Sequence, residues 1–376
     1  MFRLNYNIVI NYVFYFILIS LNFSSKLASE HNNLVDVNAA NAAIDKGLAY
    51  LTQHQYPSGE FCSYKAPDDP MKIWCATDPT VFFTSVIGMC LLPLSKTTAA
   101  EALLSKITDY VHYQMAADGA WNFFSMHNPL QQVIPYDVDS LSFASSLMQA
   151  RGVQFPETNN KKLLFANRDR RGLFYTWLVL HPKIHTNKSL WKLSLKAFRK
   201  PFPSILFLCR NGEDVDLGVN ASVLSYLGDI PETDPIINAL IKMIKEGREE
   251  SSDKWYVNPF TIYYLISRAY NRGVKKLEPV IAPVIERILN TLSADGQLGK
   301  SIFDTAIAVT ALINFGVTPQ ELERSIRFLI DNQGSHGEWP RWLFFYSSPK
   351  KEFGWGSEEL TTALCIEAIA RYKFTQ

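Results

Sequence analysis

The stretch "RFLIDNQGSHGEW", residues 327–339, closes a predicted amphipathic helix with Gln333, Gly337 and Trp339. The same order of helix, glycine turn and aromatic residue recurs, in full or in part, in five further segments: 46–61, 109–121, 168–174, 251–257 and 292–299. Recurrence of one supersecondary unit along a chain is the sequence signature of a repeat architecture. The chain is therefore best interpreted as a repeat protein.

A second predicted helix, rich in Ala, Ser, Thr and Gly, follows each turn. These helices cover 78–92, 139–152, 216–228, 258–270, 304–316 and 358–372. A pair of helices cannot bury its own apolar face, so such units must stack on one another. We predict an all-α chain, an α/α toroid of six helical hairpins with the second helices inside and the first helices outside. No segment indicates a β-strand.

The N-terminal segment differs from the rest of the chain. Residues 1–29 combine Arg3 with an apolar run at 12–21 and small residues after it, which is typical of a signal peptide or a membrane anchor. We therefore expect an exported protein, periplasmic or extracellular, or one held at the membrane by this segment. The toroid is predicted to cover 36–376. A net charge of +1 argues against a nucleic-acid partner.

Two stretches of the chain nearly repeat each other: "DVDSLSFASSL" from Asp137 and "DVDLGVNASVL" from Asp214. One interpretation is helix capping, since Asp is a favoured N-cap residue. Four aspartates precede predicted inner helices at an equivalent position: Asp78, Asp139, Asp216 and Asp304. The other interpretation is chemical. Paired carboxylates two residues apart in an extended chain point to the same side, and two like charges can leave one proton shared.

The repeat resembles the QW repeat of triterpene cyclases such as the squalene–hopene cyclases. The motif is matched in full by Phe328, Leu329, Gln333, Gly337 and Trp339, and with Phe61 for Trp by Lys46, Gly47, Tyr50, Leu51, Gln55 and Gly59. The mature chain is thus similar to a single-toroid member of the terpenoid cyclase and protein prenyltransferase superfamily. "DVDS" at 137–140 also resembles the Asp-x-Asp-Asp signature of class II cyclases, although Ser140 replaces the last Asp.

The resemblance implies a terpenoid, triterpene-like cyclase or isomerase that acts on an apolar polyene by acid-initiated cyclisation, without metal or other cofactor. Asp139 would be the proton donor, Asp137 would tune it, and Asp214 and Asp216 would form a second acidic element. Aromatic faces stabilise carbocations. The expected substrate-binding residues are Phe83, Tyr136, Phe143, Tyr256, Phe303 and Asp304.

Three other functions remain open from the sequence. The first is a non-catalytic toroid that binds a lipid or peptide, with the aspartates as caps. The second is a carbohydrate-active toroid that uses paired carboxylates as acid and base. The third is a Mg²⁺ site for a diphosphate substrate, because Mg²⁺ binds through a few carboxylates and phosphate oxygens.

An insert at about 161–210 mixes cationic and large apolar residues, including "NKSLWKLSLKAFRKPFPSILFL". Such a composition suits contact with a membrane surface, and a solvated loop is the alternative. Cys62 and Cys75 could form a disulfide in an exported protein, and five free thiols are the alternative.

Overall fold

The structure, a computed structural model, describes residues 35–181, 187–195 and 201–375. Within these ranges the helices are α1 (Val37–His54), α2 (Val81–Leu91), α3 (Thr98–Tyr113), α4 (Val138–Ala150), α5 (Glu157–Ala166), α6 (Lys188–Ser194), α7 (Pro201–Asn211), α8 (Leu217–Leu227), α9 (Asp234–Glu246), α10 (Glu249–Ser252), α11 (Pro259–Asn271), α12 (Glu278–Leu289), α13 (Ile302–Asn314), α14 (Pro319–Asp331) and α15 (Glu358–Thr375).

Six of these helices form a closed inner ring in the order α2, α4, α8, α11, α13 and α15. Each packs against the next, and α15 packs back on α2. Every residue of α2 is buried, as expected for a helix surrounded by other helices. Outside the ring lie α1, α3, α5, α9, α12 and α14. The predicted α/α toroid is confirmed.

The Gln and Trp of the best-matched repeat hold the last outer helix against the first. Gln333 Nε2 donates to the carbonyls of Gly337 and Ala43, both at 2.9 Å, and the second bond links the last outer helix, α14, to the first, α1. Trp339 is fully buried, and its Nε1 donates to Leu329 O at 2.7 Å. Because one amide serves two helices, the motif stabilises the closure of the ring.

The motif glycine is required by both conformation and space. Gly59 has a φ of +94°, and a Cβ there would lie 2.1 Å from Lys106 O on α3. Gly337 has a φ of +97°, and its Cβ would lie 2.3 Å from Lys46 O on α1. These contacts explain why the turn keeps glycine even where the repeat has lost other residues.

Four short strands form an antiparallel sheet, so the expectation that no strand exists is wrong. The strands are β1 (Tyr64–Ala66), β2 (Ala76–Thr77), β3 (Trp342–Tyr346) and β4 (Gly354–Ser357), in the order β2-β1-β4-β3. The β3–β4 register shifts between Leu343 and Phe345, which is a bulge. β3 is a continuous apolar run without alternation, and that pattern does not distinguish a strand from a buried helix.

The insert contains α5, α6 and α7. Its described residues include large apolar side chains that are exposed: Trp191, Leu195, Phe202, Ile205 and Leu206. Residues 182–186 and 196–200 lie outside the described residues, as does the predicted leader at 1–29. Membrane contact through 161–210 and export therefore stay predictions. None of the described helices is long and apolar enough to cross a membrane.

The cysteine thiols are all free, including Cys62 and Cys75, so the disulfide considered from the sequence is not formed.

Candidate active site

Asp139 lies in the first turn of α4 and is only 3% exposed. The Tyr256 hydroxyl donates a hydrogen bond to its Oδ2. Its Oδ1 is buried and has no hydrogen-bond partner within the described part of the chain. Burial raises the pKa of Asp139 well above its usual range, and the charges of Asp137 and Asp216 act in the same direction. Burial therefore favours the neutral, protonated form of this carboxyl, and one oxygen is free to carry the proton.

Tyr256 fixes the orientation of this acid. Its ring is fully buried, and burial together with the Asp139 carboxyl raises the pKa of its hydroxyl, so the phenol stays protonated. Because the hydroxyl donates to Oδ2, the acid proton of Asp139 belongs on Oδ1. The Ser222 hydroxyl is a close neighbour of both groups and lowers both pKa values.

Asp137, not Asp139, is the N-cap of α4. Its Oδ1 accepts from Ser140 N at 2.7 Å, while its buried Oδ2 has no partner among the described residues. Burial raises its pKa from 3.8 to about 7, and the hydrogen bonds of the cap offset only part of this effect. Asp137 therefore caps the helix, and Asp139 takes no part in the cap.

The two Asp-Val-Asp motifs do not superpose residue on residue. In the second motif the N-cap is Asp216, whose Oδ1 accepts from Val219 N at 2.9 Å. Asp137 therefore corresponds to Asp216, and the counterpart of Asp139 is Gly218. A Cβ at Gly218 would lie 3.0 Å from the Tyr256 ring. The second repeat carries no acid at this position, and the ring of Tyr256 uses the space.

The remaining predicted caps are also corrected. α13 is capped by Ser301, and Asp304 instead accepts from Asn258 Nδ2 at 2.8 Å and from Lys300 N at 2.9 Å. Thr80 occupies the cap position of α2. Asp78 accepts from the Asn128 amide and from Trp355 Nε1. The single-position capping interpretation is therefore wrong, because it holds for Asp216 alone of the four aspartates.

Asp214 does not join Asp139. Its Oδ2 accepts from Trp255 Nε1 at 2.6 Å and from Thr176 Oγ1 at 2.8 Å, and Lys254 Nζ lies 3.3 Å from its Oδ1. A carboxylate so fully bonded to donors is suited to hold the loop in place rather than to transfer a proton. The expected second acidic element is therefore divided, with Asp216 near Asp139 and Asp214 directed to this loop.

Asp253, which the sequence interpretation missed, shapes the loop that presents Tyr256. Its Oδ1 accepts from Trp255 N at 3.1 Å and from Tyr256 N at 2.8 Å. Asp216 Oδ2 accepts from Lys254 N in the same loop at 2.6 Å. Burial raises the pKa of both acids, to about 6 for Asp216 and well above the usual range for Asp253. Asp often forms a local turn by accepting from the backbone N–H two residues later, so the residue type at 253 could have indicated this turn.

Aromatic rings fill the end of the ring beside these acids. Phe344 of β3 lies at their centre, with ring centroids 5.2 Å from Tyr256, 5.6 Å from Phe303 and 6.0 Å from Phe83. Phe143 meets Phe82 edge to face at 5.4 Å. Three of the predicted substrate-binding residues thus surround one phenylalanine of β3, and Phe143 is joined to it through Phe82, which stacks on Phe344 at 6.0 Å. The sequence interpretation missed Phe344 because it recognised no strand.

Tyr136, the other predicted aromatic residue, lies half-buried beside the cap, and its carbonyl accepts from Leu178 N at 2.8 Å.

A small cavity lies in the bore beyond the aromatic rings. It has a volume of about 10 Å³ and is lined by Met89, Ser142, Phe143, Ser146, Ser222, Ser225, Leu265 and Arg268. This is room for a single water molecule. A hydrocarbon chain requires the rings around Phe344 to separate. In the described ranges, no group of His, Cys, Asp or Glu side chains is arranged to hold a metal ion.

The comparisons with known proteins agree on the fold. No family model and no curated protein matches the sequence. A protein from Actinoplanes superposes with a TM-score of 0.65 at 18% identity, covering 89% of this chain and 99% of that one. The type II terpene cyclase MstE from Scytonema, in complex with its substrate geranylgeranyl dihydroxybenzoate, superposes with a TM-score of 0.65 at 15% identity, covering 90% and 99%.

An alpha-amylase from Clostridium perfringens matches less well, with a TM-score of 0.50 at 10% identity. The chain therefore has a terpenoid-cyclase-like helical toroid fold.

Proposed function

We propose that this protein is a type II terpenoid cyclase or isomerase that starts its reaction by protonating an alkene. The observation that carries the proposal is the environment of Asp139: a buried carboxyl whose Oδ2 accepts from Tyr256, whose Oδ1 has no partner among the described residues, and whose pKa burial raises well above its usual range. An acid that donates to an alkene must retain its proton until the substrate is in place. Burial supplies this condition here.

The reaction balances without another reagent. The Oδ1 proton adds to a terminal carbon–carbon double bond and leaves a tertiary carbocation, which successive double bonds of the substrate then attack. The cascade ends when a carbon loses a proton, so the product is an isomer of the substrate. The Asp139 carboxylate left behind keeps the Tyr256 hydrogen bond, which becomes charge-assisted and therefore stronger.

The aromatic rings around Phe344 provide the other requirement. Phe83, Tyr256 and Phe303 pack around Phe344, Phe143 packs on Phe82, and Tyr256 joins this cluster to the acid through its hydrogen bond to Asp139. A cation over a desolvated aromatic face gains about 2 kcal/mol. The rings must part to admit a polyene, and they would then line its path. A prenylated substrate is favoured by the likeness to MstE, which is matched over 99% of its length by this one toroid.

A second candidate function is a non-catalytic toroid that binds a lipid or peptide. The close packing of Phe344 with its neighbours and a cavity of only about 10 Å³ favour it. In this case the protein would bind a prenylated compound and return it unchanged.

Solvent labelling distinguishes the two functions. The protein is incubated with prenylated alkenes in D₂O, and extracts are analysed by mass spectrometry. Acid initiation from Asp139 predicts a cyclic product with one deuterium, introduced at the carbon that was protonated. Binding without any cyclic product would refute the cyclase and support the binder. A cyclic product without deuterium would refute the acid-initiated step.

A further inference from the structure

The insert helix α7 presents an apolar stripe outward. Phe202, Ile205 and Leu206 are 80%, 55% and 46% exposed, and Cys209 is exposed as well. Residues at these spacings lie on one face of an α-helix, because 3.6 residues make one turn. A contiguous apolar surface that remains exposed commonly marks an interaction site.

The opposite face of α7 is fixed to the toroid. Ser204 is fully buried, and its Oγ donates to Val133 O at 3.2 Å. The Phe207 ring meets the Trp177 ring edge to face, with centroids 4.8 Å apart. These contacts set the rotation of the helix about its axis, so the apolar stripe is directed away from the toroid.

The preceding helix α6 carries a second exposed apolar pair together with positive charge. Trp191 and Leu195, one helical turn apart, are 49% and 53% exposed. Lys188 and Lys192 are exposed on the same face of the helix. The chain from Leu195 to Pro201 spans at most about 22 Å, so the two apolar sets are close enough to contact one planar surface.

The sequence around these helices is strongly basic. Residues 183–210 contain seven Lys and Arg residues and no Asp or Glu, although the whole chain has a net charge of only +1. Large apolar side chains interspersed with cations suit the interface of an anionic bilayer. With eleven residues, α7 is about 16 Å long, which is enough to lie in that interface and too short to cross it.

Charge argues against the other occupants of the stripe. A second copy of the chain would bring two basic surfaces together, and like charges repel. The predicted leader at 1–29 contains Arg3 and Lys26 and no acidic residue, so it offers no complementary charge either. An anionic phospholipid surface supplies both the apolar depth and the negative charge.

The stripe lies at the end of the toroid that holds the candidate acid. Trp177, which contacts α7, also packs against Trp255 with ring centroids 5.3 Å apart, and its backbone pairs with Asp137. Lys254 Nζ donates to Asn211 Oδ1 at 2.7 Å and so connects the last residue of α7 to the active-site loop. Docking through α7 would therefore bring this end of the toroid next to the lipid.

We infer that α6 and α7 form a membrane-docking surface for an anionic phospholipid bilayer. The apolar stripe of α7 enters the interface together with Trp191 and Leu195, and Lys188 and Lys192 contact the lipid phosphates. The helix α7 lies in the plane of the bilayer. The inference does not depend on the proposed reaction, because it needs no substrate.

A polarity-sensitive fluorescent label at Cys209 tests the inference, because this thiol lies on the stripe. The full chain carries Cys62→Ser and Cys75→Ser, and the remaining thiols of Cys90 and Cys365 are buried. The emission of the label should shift to the blue with vesicles that contain phosphatidylglycerol and not with vesicles of phosphatidylcholine alone. Raising the salt concentration should weaken the binding.

A label outside the insert provides the matched control. Ser105→Cys places it at an exposed position of the outer helix α3, in a chain whose Cys209 is replaced by Ser. Its emission should not change with either kind of vesicle, because only the insert is expected to enter the lipid.

Two sets of substitutions separate the apolar and the charged contributions. Phe202→Ser combined with Ile205→Ser should weaken binding to the phosphatidylglycerol vesicles at least about tenfold, because binding scales with buried apolar area. Lys188→Gln combined with Lys192→Gln should also weaken it at least about tenfold, since each cation near an anionic bilayer strengthens binding about fivefold.

Lys242→Gln combined with Lys245→Gln, which removes two exposed cations of the outer helix α9, should leave the affinity unchanged. An unshifted label at Cys209, even if the chain binds vesicles through its leader, would overturn the inference. An equal shift with phosphatidylcholine alone, or a shift that survives Phe202→Ser with Ile205→Ser, would do the same. A label that is already shielded in the lipid-free protein would show that the leader or a second copy covers the stripe, and would also overturn it.

Discussion

Replacing Asp137 by Asn removes a carboxyl whose ionised form is disfavoured by burial. Asn is as good an N-cap as Asp, so the bond from Ser140 N and the start of α4 should persist. Burial raises the pKa of Asp137 from 3.8 to about 7. A carboxyl whose pKa is higher in the folded state binds its proton more tightly there, so folding is favoured at low pH and loses stability as the pH rises from about 4 to about 7.

The size of the effect follows from those two values. A difference of about 3 pH units in the pKa corresponds to about 4 kcal/mol, most of it lost by pH 8. The wild-type protein should therefore lose about 2–3 kcal/mol more than Asp137→Asn between pH 5 and pH 8. At pH 5 the two proteins should differ little, and at pH 8 the variant should be the more stable.

Urea unfolding at pH 5 and pH 8 measures this difference as a free energy of unfolding. Asp109→Asn, an exposed carboxyl on the outer helix α3, controls for the substitution itself and should leave the pH dependence unchanged. The argument would be refuted if the free energy of unfolding changed with pH by the same amount in wild type and Asp137→Asn. Such a result would mean that burial does not raise the pKa of Asp137.

Tyr256→Phe should fold but leave Asp139 Oδ2 unpaired, which costs about 1–3 kcal/mol and should slow product formation by about 5- to 150-fold; an unchanged rate would contradict the role of the hydroxyl. Gly59→Ala should destabilise the fold by more than 2 kcal/mol, because its Cβ would lie 2.1 Å from Lys106 O. Gly152→Ala, with a φ of +66° and no atom within 4 Å, should cost only about 1 kcal/mol, and equal losses of melting temperature would refute the steric argument.

The sequence was sufficient for the ring because the repeat has a physical origin. Gln333 must reach two carbonyls, and Gly59 and Gly337 must pass close to a neighbouring backbone, so these residue types recur at several junctions between outer helices. Such constraints produce a repeated pattern of residues in the sequence. The inner helices were recognisable for the same reason, since each must bury all its faces.

The site was only partly predictable. The sequence drew attention to Asp139 and to aromatic residues that the structure packs together, but which of Asp137 and Asp139 caps the helix depends on where α4 begins, to within one residue. Helix starts are the least certain feature of a sequence interpretation. Phe344 was missed because a five-residue strand of continuous apolar residues has no alternation, and only its pairing with β4, which contains a bulge, defines it.

The central claim is that Asp139 is the acid that starts the reaction. The most direct measurement is the initial rate of cyclic product from prenylated alkenes with wild type and Asp139→Asn, with Asp109→Asn, an exposed carboxyl on the outer helix α3, as the control. General acid catalysis contributes about 10²- to 10⁴-fold, so Asp139→Asn should lose at least that factor, whereas Asp109→Asn should retain the rate. A cyclic product formed by Asp139→Asn at the wild-type rate would contradict the claim.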